Sequence, residues 1–268
     1  MSTPDRSAWD RYVEQFHENR PGITETVLGT ARARGSTPYE WLAAAVDGAG
    51  GTLLDLACGS APLAPLIGTD RWIGLDRSES ELRTAHRRHP DGALVRADAG
   101  HLPLRDRSVE SVACSLALMT LPSLEPVVDE LARVMRTGGS LALLLPTGAP
   151  VSLRDRVRYA RLSLTFRARP DQFPNPVATR DTARLLAAGG YTVTSDERLR
   201  FACRIDDEAG ADALVDSFYL PDVTPERLVA ARLLVRRWLG TDIGIPLRRV
   251  VATSNGVVAT SSRRDDPG

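Results

Sequence analysis

Two periods of hydrophobic positions divide the chain. Residues 7–17, SAWDRYVEQFH, put Trp9, Tyr12, Val13 and Phe16 at i, i+3, i+4 and i+7, which predicts a helix with one apolar face. RPG at 20–22 breaks it, and a second helix is expected from near Thr24. Pro38 opens a short third one, PYEWLAAAV, which ends in the glycines of DGAGG. Beyond residue 50 the period shortens. TLLDL, RWIGLD, ALVRAD, SVACSLAL and SLALLLP read as strands, separated by the helical stretches PLAPLI, SESELRTAHRRH and LEPVVDELARVM. Strands alternating with helices predict a parallel sheet. Ser78 and Glu81 have capping-box spacing, and GG at 138–139 is expected to end a helix before the next strand.

After Pro146 the rhythm loosens. Residues 151–169 hold six arginines among apolar residues and read as a helix. DQFPNP makes a loop, because two prolines in three residues cannot continue a helix. A helix over 179–188 leads through GG to YTVTSDERLRFACRI, a long strand or hairpin arm. Two helices follow, the second with Thr224 as its cap and Pro225 at its first position. PLRRVVATS is the last strand, and SSRRDDPG reads as a frayed tail.

Composition narrows the function classes. A chain of 268 residues that is 43% hydrophobic and 25% charged is an ordinary globular one. With 34 basic and 34 acidic residues it has no global attraction for nucleic acid or an anionic membrane, although a local basic patch stays open. The chain has no lysine, so no lysine acts as base, Schiff-base former or phosphate ligand. Cys58, Cys114 and Cys203 are far apart and odd in number, which reads as buried thiols rather than a disulfide framework. The polar N-terminus has no signal-peptide core and no apolar run approaches a membrane span, so a cytoplasmic protein with no membrane partner is expected.

DLACGSAPL, Asp55–Leu63, has the position of a nucleotide-binding loop between a strand and a helix. It lacks the second glycine of a dinucleotide loop. Ala61 stands there, and its Cβ is expected to intrude on a pyrophosphate. A phosphate loop needs GK[ST], which a lysine-free chain cannot supply. A cofactor without a pyrophosphate tolerates the alanine. Asp55, before the loop, is able to face a cationic group, or to cap the turn. Asp76 ends the second strand 17 residues after Gly59, where a carboxylate accepts both hydroxyls of a ribose or caps the next helix. Asp98 ends the third strand, facing a base edge or holding a turn.

At these residues the sequence resembles the class I S-adenosylmethionine (SAM)-dependent methyltransferases, in particular their small-molecule group. The matching stretches are LLDLACGSAPL, IGLDRS, ADAGHLPLRDRSVESV and LARVMRTGGSLALLLP, within about residues 50–147. The departures are Ala57 and Ala61 for glycine, and Glu110 where the family often has aspartate. The resemblance implies a Rossmann-like α/β fold: a seven-stranded, mostly parallel sheet with helices on both faces and an N-terminal helical cap at 1–48. The methyltransferase domain would span 49–262, with substrate-cavity insertions at 148–178 and 205–240. It implies SAM as cofactor. Asp55 and the backbone of Ala57, Cys58 and Gly59 would hold the methionine part, Asp76 with Arg77 the ribose, and Asp98 with Ala99 the adenine. Ser115 and Leu116 would line the pocket beside the sulfonium. No metal is implied.

His17 ends the first helix, and in the resembling family N-terminal helices often close over cofactor and substrate. It reads either as a base near neutral pH or as the cap of its own helix. Tyr12 is a second catalytic candidate, with Asp216 and Tyr219 as weaker ones. The arginines of 154–169 read as a solvated helix face, with RNA or an acidic substrate as the alternative. The expected reaction is methyl transfer to a small-molecule acceptor, secondary metabolites included. The alternatives are an RNA methyltransferase, a repurposed SAM-binding protein and, more distantly, a dinucleotide oxidoreductase. The acceptor atom and the choice between monomer and homodimer are not encoded in any motif.

Overall fold

The computed structural model describes residues 6–121, 123–169 and 173–256. The expected tail, part of the 171–176 loop and the ends of the two domain ranges lie outside them. All seven expected strands are present: β1 Leu53–Leu56, β2 Trp72–Asp76, β3 Ala93–Arg96, β4 Val109–Ser115, β5 Met135–Pro146, β6 Tyr191–Ile205 and β7 Thr241–Ser254. They form one sheet in the order β3-β2-β1-β4-β5-β7-β6. The first five run parallel, and β7 pairs antiparallel with both β5 and β6. This is the Rossmann-like α/β architecture expected from the sequence.

Strand burial follows position in the sheet. Every residue of central β1 is buried, as a parallel strand covered on both faces requires, whereas edge strand β3 has no buried residue. Fully enclosed leucines such as Leu54 and Leu143 each contribute about 1.5–3 kcal/mol by leaving water. Two apolar clusters share the sheet, one containing Leu53, Trp72 and Phe201 and the other Leu54, Val112 and Leu143. The carboxyl ends of β1, β2, β3 and β4 lie side by side, so residues 57–59, 76, 98 and 115 meet at one sheet edge.

The N-terminal helices are α1 Arg6–Asn19, α2 Ile23–Leu28 and α3 Pro38–Ala43. Trp9, Val13 and Phe16 are buried, so the apolar face read in the sequence is the packed one. Helices α4 Ala64–Ile67, α5 Glu79–Arg88 and α6 Glu125–Val134 connect the first five strands. The chain continues through α7 Leu153–Phe166, α8 Val177–Arg180, α9 Thr182–Ala188, α10 Glu208–Asp216 and α11 Pro225–Arg236.

Three details differ from the sequence reading. Gly138 and Gly139 do not end a helix: α6 stops at Val134 and the glycines lie inside β5. They are needed there because Gly138 has φ of 80° and a Cβ on Gly139 would meet the Glu110 carbonyl oxygen at 2.8 Å. The expected helix 179–188 is broken at Asp181. Buried Arg248 donates to the Thr179 carbonyl at 2.9 Å and to Thr182 Oγ1 at 3.1 Å, interrupting the helical pattern. Thr224 stands at the N-cap of α11, but its side chain makes no capping bond.

Candidate functional site

The loop after β1 turns through left-handed backbone at three residues. Ala57, Gly59 and Ala61 have φ of 55°, 53° and 63°. Such a conformation costs an L-residue about 1–2 kcal/mol, so both alanines hold a shape that glycine adopts freely. The expected intrusion of the Ala61 Cβ is corrected: Ala61 is fully buried in the core and lies off the cavity wall. The loop is pinned at Gly59, whose amide donates to Asp76 Oδ2 at 2.8 Å. Asp76 Oδ1 accepts the Ser78 amide at 2.8 Å. Each carboxylate oxygen thus spends one lone pair on backbone and keeps capacity for a ligand hydroxyl.

A cavity of about 110 Å³ lies over this loop. Nine of the ten residues assigned from sequence to the cofactor line it: Ala57, Cys58, Gly59, Asp76, Arg77, Asp98, Ala99, Ser115 and Leu116. The tenth, Asp55, does not. It lies behind the loop, 1% exposed, and accepts the Trp72 indole N–H at 3.1 Å. Burial pushes its carboxyl up to about 7, opposed by the indole bond. Asp98 also holds its own turn, accepting the Gly100 amide at 2.7 Å. Its side chain is exposed enough to reach a ligand.

The Ser78–Glu81 spacing closes only half a capping box. Ser78 Oγ accepts the Glu81 amide, but Asp76, not Glu81, accepts the Ser78 amide. The Glu81 side chain turns instead to the N-terminal segment. It accepts the Gly22 amide at 3.0 Å and contacts His17 Nδ1 at 2.8 Å. The other ring nitrogen, His17 Nε2, lies 2.9 Å from the Tyr219 hydroxyl. The carboxylate selects the tautomer: Nδ1 carries the hydrogen, so Nε2 accepts from Tyr219. His17 therefore does not cap its own helix. Burial, followed by the charge of Glu81, raises the Tyr219 hydroxyl well above its ordinary range.

Further contacts tie the N-terminal segment over the loop. Ser80 Oγ donates to the His17 carbonyl at 2.9 Å, Ser78 Oγ to Glu18 at 3.1 Å, and Arg77 to Asp10. Glu25 accepts from Ser60 of the loop and from Arg88 of α5. Tyr12 lines neither cavity. Its hydroxyl accepts the Leu220 amide at 2.7 Å, which buttresses the segment carrying Tyr219. Asp216 is engaged by Arg232 at 2.6 Å and also lies off both walls.

A second cavity, about 490 Å³, adjoins the first. Its wall is mostly apolar, with Val27, Leu28, Met119, Phe173, Phe218 and Ile245 among the lining residues. Ser163, Ser217, Thr147 and Arg156 supply polar groups. Thr24, Leu116 and Tyr219 line both cavities. Leu116 has φ of 54°, a strained backbone at the shared wall. Among the described residues no cluster of three or more histidines, cysteines or carboxylates could hold a metal ion, and no helix is long and apolar enough to cross a membrane.

Sequence reasoning missed Glu81 as a site residue. Its spacing from Ser78 pointed to a local cap, and its partners lie 59 and 64 positions away.

Comparison with known proteins points to the same elements. The family model of a methyltransferase domain matches residues 54–143. A demethylmenaquinone methyltransferase of Oceanobacillus iheyensis is 31% identical over 121 residues, covering 41% of this chain and 50% of that protein. The biotin biosynthesis bifunctional protein BioHC of Cellvibrio japonicus is 31% identical over 130 residues, covering 47% of this chain and 26% of that protein. The chain thus spans half or less of the length of these curated relatives. The crystal structure of the [4+2]-cyclase SpnF superposes with a TM-score of 0.58 at 17% identity, covering 90% of this chain and 94% of that one. That last likeness concerns the fold alone, which does not fix a reaction. Residues 54–143 thus match a methyltransferase domain, and the sheet order and the loop that ends β1 are similar to those of the class I SAM-dependent methyltransferases.

Proposed function

We propose that the protein transfers the methyl group of SAM to a largely apolar small molecule that gives up a proton. The observation that carries this is the pairing of two cavities across Thr24, Leu116 and Tyr219, one walled by the sheet-edge residues and the other mostly by hydrocarbon. The donor set suits the cofactor. Asp76 has lone pairs to spare for ribose hydroxyls, Asp98 and the Ala99 amide suit an adenine edge, and the turned backbone at 57–59 suits the amino-acid end. The smaller cavity is too small for a nucleoside joined to an amino acid unless the N-terminal segment moves outward. This supports residues 1–48 as a lid on the domain at 49–262.

When bound, SAM supplies a methyl group already activated by positive sulfur. The chain's part is to position the acceptor, exclude water and remove a proton. His17 is the base in this reading, acting through Tyr219. The acceptor proton moves to Tyr219 Oη as the Tyr219 proton moves to His17 Nε2, and Glu81 steadies the imidazolium. The mostly apolar acceptor wall and zero net charge favour a small molecule over nucleic acid. Demethylmenaquinone methyltransferase among the relatives accords with an apolar acceptor. Three buried free thiols accord with a reducing, cytoplasmic compartment.

The test is cofactor binding followed by turnover. S-adenosylhomocysteine should raise the melting temperature, by ligand linkage worth about 2.7 kcal/mol at 100-fold excess over Kd, while NAD should not. Hydroxylated aromatic acceptors, such as a reduced naphthoquinone, should then release S-adenosylhomocysteine. No calorimetric heat and no thermal shift with either sulfur ligand would sink the reading.

A further inference from the structure

The arginine-rich stretch has a use that methyl transfer does not absorb. Helix α7 buries Asp155, Leu162 and Phe166 against the protein. At 100° per residue, Leu153, Val157, Ala160 and Leu164 fall on the opposite side, within a strip about 60° wide. Leu153 is 75% exposed and Leu164 77%, with Val157 and Ala160 also exposed. A surface helix ordinarily turns such a stripe inward; this one turns it outward.

Arginines flank the stripe on both sides, Arg154 and Arg161 along one edge and Arg156 and Arg167 along the other. Arg154 pairs with Asp242, but no ion pair engages Arg156, Arg161 or Arg167 among the described residues. The only acid between 151 and 169 is Asp155, which is buried and held by Arg200 at 2.6 Å and by the Gly244 amide at 2.9 Å. The outward face is thus cationic and apolar in a chain of zero net charge. It also borders the large cavity, since Arg156, Tyr159, Ala160 and Ser163 of the same helix line that wall.

We propose that α7 docks on an anionic lipid surface, with Leu153, Val157 and Leu164 in the acyl boundary and Arg156, Arg161 and Arg167 at the headgroups. Charge complementarity selects this occupant. Outward leucines bordered by unpaired arginines match the two layers of such an interface, whereas a nucleic acid offers nothing to the leucines. A helix lying in the interface is not a span, so the absence of a spanning helix is unaffected. Docking would bring the apolar cavity against the bilayer, from which a lipophilic acceptor partitions directly.

The experiment is flotation of the full chain with two vesicle types, phosphatidylcholine alone and phosphatidylcholine with phosphatidylglycerol. Binding should be selective for the anionic vesicles and weaken in high salt. The double variant Leu153→Glu/Leu164→Glu should lower partitioning by roughly tenfold or more, and Arg161→Glu/Arg167→Glu likewise. Melting temperature and S-adenosylhomocysteine binding should be unchanged in both, because the four side chains are exposed. Flotation needs no cofactor, so its failure is separate from failure of the methyltransferase reading. Three results would overturn the proposal: no flotation of the parent chain with anionic vesicles, equal flotation of folded variants, or a dimer in solution that the leucine substitutions dissociate. Binding of a single-stranded oligonucleotide that is lost with the arginines, without flotation, would assign the face to nucleic acid instead.

Discussion

Replacing Asp76 by alanine separates the cofactor assignment from the fold. The carboxylate accepts two backbone amides, Gly59 and Ser78, each at 2.8 Å, and sits on the cavity wall. Removing it has two consequences of different size. Toward the ligand, the lost hydrogen bonds to a charged group are worth about 1.5–3 kcal/mol. At 1.4 kcal/mol per decade that is a rise of roughly 10- to 150-fold in the Kd for S-adenosylhomocysteine. Toward the fold, two amides lose their acceptor, at about 1–3 kcal/mol for each that water cannot reach. Gly59 is half-buried, so water reaches its amide at little cost, whereas Ser78 is buried and its amide carries the larger part of the loss. Isothermal calorimetry reads the first effect and thermal unfolding the second. A folded Asp76→Ala protein with Kd within about twofold of the parent would show that the ribose is held elsewhere and that the carboxylate only pins the loop.

Two further predictions follow from neighbouring groups. Burial raises the Asp55 carboxyl to about 7, so between pH 4 and 7 the native chain keeps a proton that the unfolded chain releases. Stability should fall with rising pH across that window, by up to about 1.4 kcal/mol per unit, and level off above it. Asp55→Asn keeps an acceptor for the Trp72 indole, so urea midpoints should show it losing this slope and gaining stability at pH 8; identical pH profiles would refute the assignment. Tyr219→Phe and His17→Gln should each lower kcat on a proton-losing acceptor by about 100-fold, within the range for general acid–base catalysis, with S-adenosylhomocysteine affinity retained. Full turnover by either variant would remove the relay.

Much of this was legible in the chain because it is local. An apolar run of four to seven residues specifies its own strand, and the spacing of Asp55, Asp76 and Asp98 from their strands placed the last two on the cavity wall. Direction was harder to read than position. Ala61 was located correctly, but backbone handedness turns its Cβ into the core, and Asp55 was located correctly, but Trp72 draws its carboxylate behind the loop. Contacts between distant segments were hidden. His17 and Tyr219 are 202 positions apart, and no periodicity links them. Glu81 was masked by a local rule that fitted it well.

The wall shared by the two cavities bears on how such a protein can change. Among the described residues, only Thr24, Leu116 and Tyr219 face both spaces. The remaining lining of the larger space comes from α2, α7, β7 and the segments at 146–151 and 214–218, with Arg169 and Phe173, all outside the matched stretch 54–143 apart from Met119. On the proposed reading, substitutions there would reshape what the protein accepts while leaving its nucleoside contacts intact. Acceptor range and donor affinity would then be nearly separate traits, free to drift independently except at those three positions, where a single replacement would alter both.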